Sequence, residues 1–294
     1  MSTNEHARPV VVGYDSSSDG DVAFEWAQQE AERRDAPISL LVARGVMYAA
    51  APGLGATPPW PEGVTGELVQ EARDYAAKRA SAVRVSVDSS LGSPAAVLVD
   101  ASANADLVVV GRHPHTAVGE AFWGSTSTQV VAHASCPVVV VDRPVSGSST
   151  APIVVAVDGS DAGRAALGFA FQRASAVGAP LVCVHAWWID VPGHLMVAYM
   201  NDDMVAKIES GARAVLDDSL APWIEKFPDV TVRKVLHRQY PAPAVLAEAG
   251  DAQLIVVGSR GHGGFAGLLL GSVSQELLHE QDRPCPLAVV HAED

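Results

Sequence analysis

Residues 9–17, PVVVGYDSS, return as PIVVAVDGS at 152–160, and the two stretches align without a gap as far as Pro37 and Pro180. The match resumes where ADLVVVGR (105–112) meets AQLIVVGS (252–259), and Gly124 and Ser125 then fall on Gly271 and Ser272. A repeat of this length restricts the chain to two copies of one folding unit. Between the copies, DRPVSGSSTAP (142–152) is rich in Pro, Gly and Ser, the composition of an inter-domain linker. The boundary is expected near Ser148, giving domains 1–147 and 148–294.

Short β-branched runs alternate with longer amphipathic ones inside each copy. Strands are expected at 9–14, 38–43, 83–88, 107–111 and 137–141, and again at 152–157, 181–186, 230–236, 253–258 and 286–291. Most of these runs are apolar without interruption, as in parallel strands covered on both faces. Met204, Ile208, Ala212, Val215 and Trp223 recur at helical spacing, as do Val22, Trp26 and Gln29 beside Ala23, Ala27 and Ala31. Both stripes read as plain core. The fold class is therefore α/β: two tandem doubly wound, Rossmann-like domains, each a five-stranded mainly parallel sheet of order 3-2-1-4-5.

Composition removes several functions. Twenty Lys and Arg against 34 Asp and Glu leave a net charge of -14 and no broad basic surface for nucleic acid. The start, MSTNEHARPV, lacks the apolar core of a signal peptide, and no apolar run reaches bilayer-spanning length, so a cytoplasmic protein without a membrane partner is expected. Cys136, Cys183 and Cys285 are too few and too scattered for a disulfide framework or a zinc site, and are read as reduced and buried.

In a sheet of this order, ligands sit beyond the carboxyl ends of the first and fourth strands, where the winding direction reverses. Asp158 ends the first strand of the second copy and Gly258 ends the fourth, so both face one crevice although they lie far apart in the chain. The stretch GSRGHGGFAGLLLGS (258–272) places glycines at 258, 261, 263 and 264, which let a backbone turn tightly and approach a ligand. Gly271 and Ser272 then open a helix whose unpaired N–H groups and partial positive charge suit a phosphate. No Gly-Lys-Ser/Thr follows and GxGxxG is absent, so this is neither a Walker loop nor a dinucleotide fingerprint.

The spacing of Gly258, Gly261, Gly271 and Ser272 resembles the G-x2-G-x9-G-S/T loop of ATP-binding universal stress proteins. Across nearly the whole chain the sequence is similar to a tandem, two-domain member of that family, with Asp15 and Asp158 at its strand-end aspartates. The resemblance implies that Ala156 and Asp158 hold the adenosine part of ATP and that Ala186 recognises adenine. It gives the phosphates to Gly258, Ser259, Arg260, Gly261, His262, Gly263 and Gly264, with Gly271, Ser272 and Val273. In the first copy Gly13, Asp15, Ala43, Gly111, Gly124 and Ser125 match, but Pro114 stands at the second glycine. Proline has no N–H and a φ fixed near about -65°, so it neither donates to phosphate nor enters positive φ. The first loop is expected to bind ATP more weakly than the second.

Other residues carry two readings at this stage. Asp15 and Asp158 either cap the helices that follow or contact ribose, and the two roles are compatible. Arg260 either offsets phosphate charge or is solvated. His113, His115 and His262 are read as loop residues, His262 near the phosphate end, because no metal-ligand spacing joins them; His185 reads as a packed strand residue. Segment 44–63 is a lid or a surface insertion, and its counterpart 187–201 brings Trp187 and Trp188 near the adenine end. No residue set is assigned to catalysis.

The sequence thus points to an ATP-binding regulator, with Mg2+ carried through the phosphates, in a stress-response or growth-control role implied by the resemblance. Its rivals are a nucleotide-free interaction module and a slow ATPase or phosphotransferase. The protein partner is not legible, and a homodimer is possible.

VVVV (138–141) and LAVV (287–290) end the two copies as apolar strands that need covering, so they are expected to pair with each other as an internal pseudo-dimer. Their amides should then exchange as slowly as those of the central strands. Exchange as fast as in surface loops contradicts the pairing.

Overall fold

A computed structural model describes residues 7–44, 62–79, 82–112, 125–144, 150–188, 202–262 and 269–292. The chain divides into two compact units, residues 1–145 and 146–294. In the first, strands β1 (Val10–Gly13), β2 (Ile38–Arg44), β3 (Val85–Leu91), β4 (Leu107–Gly111) and β5 (Val138–Val141) alternate with helices α1 (Ser18–Arg34), α2 (Glu62–Lys78), α3 (Pro94–Ser102) and α4 (Ser125–His133). The second repeats the plan with β6 (Ile153–Ala156), β7 (Leu181–Ala186), β8 (Val232–His237), β9 (Leu254–Gly258) and β10 (Leu287–Val290). Its helices are α5 (Asp161–Val177), α6 (Asp202–Lys226), α7 (Pro241–Glu248) and α8 (Ser272–His279).

Within each unit the strands pair in parallel, in the orders β3-β2-β1-β4-β5 and β8-β7-β6-β9-β10, which is the expected 3-2-1-4-5 twice over. The register brings Val10 opposite both Ile38 and Leu107, so β1 occupies the centre. Val10, Leu107, Val108, Ile153, Leu254 and Leu287 are fully buried. Helices on both faces of a parallel sheet require such runs, and each buried valine or leucine contributes about 1.5 to 3 kcal/mol. The outer strands β3 and β8 are the least buried and start two residues later than expected, where their pairing with β2 and β7 begins.

The helices start and stop as local chemistry dictates. Ser17, Ser93 and Ser160 each accept a backbone N–H of the first turn of α1, α3 and α5. α5 ends at Gly178 in the left-handed region (φ 64), and α1 ends the same way at Asp35 (φ 50). Arg283, fully buried, donates to the carbonyls of Cys285 and Leu277 and so ties down the last turn of α8.

Two helix faces differ from the sequence expectation. In α6 the buried residues are Ala212, Leu216 and Leu220, whereas Met204, Ile208 and Val215 are 51%, 39% and 37% exposed. The helix has 25 residues, about 1.5 Å each, and outruns a six-residue strand, so its first turns have no sheet to cover. Trp223 does pack, with its ring edge against Gly168, and its ring, Phe171 and Phe227 form a cluster whose centroids lie 5.9–6.3 Å apart. In α1, Ala23, Phe24, Trp26, Ala27 and Ala31 form the core face, while Val22 is half-buried and Gln29 exposed.

All three cysteines are buried thiols outside any disulfide. Burial pushes the thiols of Cys136 and Cys183 up to about 12, which leaves almost no thiolate near neutral pH. Iodoacetamide is expected to leave the native protein unmodified and to label it after denaturation; rapid native labelling contradicts this packing. Among the described residues, no helix is long and apolar enough to cross a membrane.

Candidate functional site

The turn that follows β6 is built around one carboxylate. Asp158 Oδ1 accepts the Ser160 N–H at 3.0 Å and the Ser160 hydroxyl at 2.7 Å, and Ser160 Oγ in turn accepts the Gly163 N–H at 3.0 Å. Ser160 is therefore the helix cap, and Asp158 braces it. The first unit repeats this arrangement: Asp15 Oδ1 accepts from Ser17 N at 3.1 Å and Ser17 Oγ at 2.5 Å, and Ser17 caps α1 through Gly20. The residue between takes positive φ in both copies, 81° at Gly159 and 59° at Ser16, the second a strained position for a residue with a side chain.

The loop after β9 converges on the same carboxylate. A Cβ placed on Gly261 would lie 2.6 Å from Asp158 Oδ2, and one on Gly258 would lie 2.7 Å from the carbonyl carbon of Ala162 in the first turn of α5. The Arg260 carbonyl oxygen is 3.3 Å from Ser160 Oγ, and Gly271 N–H donates to the Ser259 carbonyl at 2.7 Å. Among the described residues, positive φ in glycine is confined to Gly92, Gly159 and Gly178. Gly258 and Gly261 are thus required by close approach to neighbouring atoms of the chain, and Gly271 sits in a tight but less restrictive contact, its Cβ position 3.3 Å from the Arg260 Cα.

The remaining candidates divide by exposure. Ser259 is 3% exposed, its N–H donating to Val290 and its carbonyl accepting from Gly271 and Ser274, so it is a brace for the loop. Arg260 is exposed, with its Nε 3.5 Å from the Leu269 carbonyl. His262 is exposed with Nε2 beside Gly159, and Val215 of α6 lies against the same glycine. Gly271 caps α8 without a side-chain hydrogen bond, unlike Ser17, Ser93 and Ser160 on their helices. The N–H groups of Ser272 and Val273 therefore lack an intrahelical acceptor and a side-chain cap at the positive end of the helix.

At the opposite end, Ala156 and Ala186 close β6 and β7 and are half-buried. His185 Nδ1 is 2.6 Å from the Val157 carbonyl, which fixes the ring in the sheet as a packed residue. Trp187 continues the ladder to the His237 carbonyl, and the rings of Trp188 and Tyr240, both exposed, lie 5.0 Å apart at the rim.

The first unit holds a cavity of about 400 Å³ at the same topological point. Gly13, Asp15, Ala43 and Gly111 all line it, so the fold brings together four of the six first-copy candidates. Ser125 opens α4, and Gly124 lies outside the described residues, as do His113, Pro114, His115, Gly263, Gly264 and the bulk of segments 44–63 and 187–201. Sequence reasoning missed Asp19, Ser93, Val97, Leu98 and Thr126 in this lining. The signal was available in part, since each sits in, or caps, a helix that follows a strand's carboxyl end. Among the described residues no cluster of three or more His, Cys, Asp or Glu is placed to hold a metal ion.

A family model described as the universal stress protein family matches residues 6–142 and 150–291. A universal stress protein of Mycolicibacterium smegmatis is 39% identical over 94% of this chain and 95% of its own. One from Mycobacterium tuberculosis is 33% identical over 98% and 99% of the two chains. In fold, the chain is similar to the crystal structure of a universal stress protein from Archaeoglobus fulgidus, with a TM-score of 0.71, 20% identity, and 98% and 97% of the two chains covered.

Proposed function

The chain belongs to the universal stress protein family as a tandem, two-domain member, and on that premise we propose that it binds ATP in the crevice of its second unit and serves as a nucleotide-dependent regulator in stress response or growth control. The observation that carries the reading is the meeting of Asp158 with Gly261, 2.6 Å from carboxylate oxygen to the glycine's Cβ position. This contact brings a strand-end carboxylate and close-packed glycines together near the N-terminus of α8, whose cap, Gly271, has no side chain to satisfy it. A carboxylate accepts ribose hydroxyls, and the free N–H groups of Ser272 and Val273 receive phosphate. Mg2+, if present, is held by the phosphates.

Mass spectrometry of the small molecules released from purified, denatured protein tests the reading. ATP is the expected release. ADP alone favours a slow ATPase or phosphotransferase, and an empty protein that also fails to take up added ATP favours a nucleotide-free interaction module.

Asp158→Ala is expected to weaken ATP binding by about 1 to 3 kcal/mol, the loss of a charged hydrogen-bond partner. It should also lower stability, because Ser160 loses its brace and a helix cap is worth about 0.5 to 2 kcal/mol. Asp158→Asn keeps an acceptor for Ser160 and separates the two effects. Calorimetry showing native affinity in both variants, with only the melting temperature of Asp158→Ala reduced, assigns Asp158 to the cap alone.

A further inference from the structure

Helix α6 carries two apolar faces, and its own unit covers one of them. Ala212, Leu216 and Leu220 form the buried face. About 110° round the helix axis, Met204, Ile208, Gly211 and Val215 fall within roughly 60° of arc, at steps of four, three and four residues. That is the a/d seam of a helix that packs lengthwise on another helix, and all four residues are exposed. Gly211 stands in the middle of the seam, where glycine weakens a helix. Among the described residues no atom lies within 4 Å of its Cβ position, so packing inside the unit does not demand the missing side chain. A bare backbone there lets a second helix approach closely.

Charge borders the seam on one side. Asp203, Lys207 and Asp218, all exposed, follow that border, with the two aspartates about 22 Å apart along the axis and the lysine between them. On the other side Val205 and Ala212 run into the covered face. We infer that the seam docks one amphipathic helix of another protein, apolar along its contact stripe and cationic near both ends. A second copy of α6 fits it poorly. Packed antiparallel with the seams in register, Asp203 of one copy comes beside Asp218 of the other, and packed parallel each aspartate meets its own counterpart. Like charges across an interface oppose association, whereas lysine or arginine at both ends of the docked helix turns the same border attractive. The chain's net charge of -14 steers such a partner from a distance. The seam is short, about 16 Å from Met204 to Val215, which places the complex with small, transient interfaces.

Fluorescence anisotropy with the full chain and two labelled helical peptides tests this. Both peptides are about 18 residues long, to span the seam, with leucine at each a and d position. One carries lysine near both ends and the other glutamate. The lysine peptide is expected to bind saturably, about tenfold or more tighter than the glutamate peptide. Ile208→Asp, at an exposed position, should leave the circular dichroism spectrum native and cost the lysine peptide about tenfold or more in affinity. Asp203→Lys with Asp218→Lys should reverse the preference between the peptides, whereas Asp251→Lys with Asp282→Lys, the same change of charge at exposed sites off α6, should not. Failure of the lysine peptide to bind overturns the inference, as does native affinity in folded Ile208→Asp or a preference that responds equally to both charge swaps. A concentration-dependent dimer in sedimentation that Ile208→Asp abolishes also overturns it, by giving the face to a second copy.

Discussion

Replacing Gly261 with proline is expected to abolish tight ATP binding, with a loss of at least tenfold to a hundredfold in equilibrium dialysis. One charge-assisted hydrogen bond from the loop is worth about 1.5 to 3 kcal/mol, and proline removes the N–H outright. The ring also occupies the space where a Cβ already comes within 2.6 Å of Asp158 Oδ2, so the loop must move off the carboxylate it is packed against. Gly261→Ala separates the contributions, because it keeps the N–H and adds only the clash. Pro114→Gly is the converse in the first copy. It restores a donor and is expected to strengthen ATP binding in the first crevice. Two sites of equal affinity, both indifferent to these changes, contradict the account of the loop.

Gly258→Val is expected to destabilise the second unit by roughly 3 kcal/mol, the upper end for overpacking. Its Cβ would fall 2.7 Å from the carbonyl carbon of Ala162, 2.9 Å from the oxygen and 2.9 Å from the Gly163 nitrogen. All three are backbone atoms in the capped first turn of α5, which no side-chain rotation can clear. For a unit of this size the melting temperature should fall by roughly 6 to 12 °C. Gly111→Val meets the Asp19 backbone at 2.7 Å and should do the same in the first unit. A calorimetric melt unchanged by both substitutions contradicts the packing of β4 and β9 against the helix starts.

The fold was legible because its strands are long apolar runs with a duplicated pattern: VVV at β1 and VVVV at β5 admit few environments other than the centre of a covered sheet. The face of α6 was not. Met204 and Ile208 sit at the same spacing as Ala212, and periodicity cannot say where a helix outruns the sheet it covers. At the site, Asp158 and the glycines could be picked out from spacing, but the reason for each glycine could not. Gly258 and Gly261 are set by atoms of Ala162 and Asp158, distant in the chain, and only the folded geometry puts those atoms there. The same limit hid the helix side of the first cavity, whose walls come from α1, α3 and α4 as well as from the strand ends. Ser160 was overlooked for a simpler reason: the aspartate two residues before it was the more conspicuous cap, and the structure gives the cap to the serine.

The central claim is the location of ATP, and amide hydrogen exchange with and without the nucleotide tests it most directly. The account predicts slower exchange on ATP addition at Gly261, Ser272 and Val273 and through the turn at Asp158 to Ser160, with the far ends of β6 and β9 unchanged. ATP binding that leaves these amides as they were, or protects a different face of the unit, contradicts it.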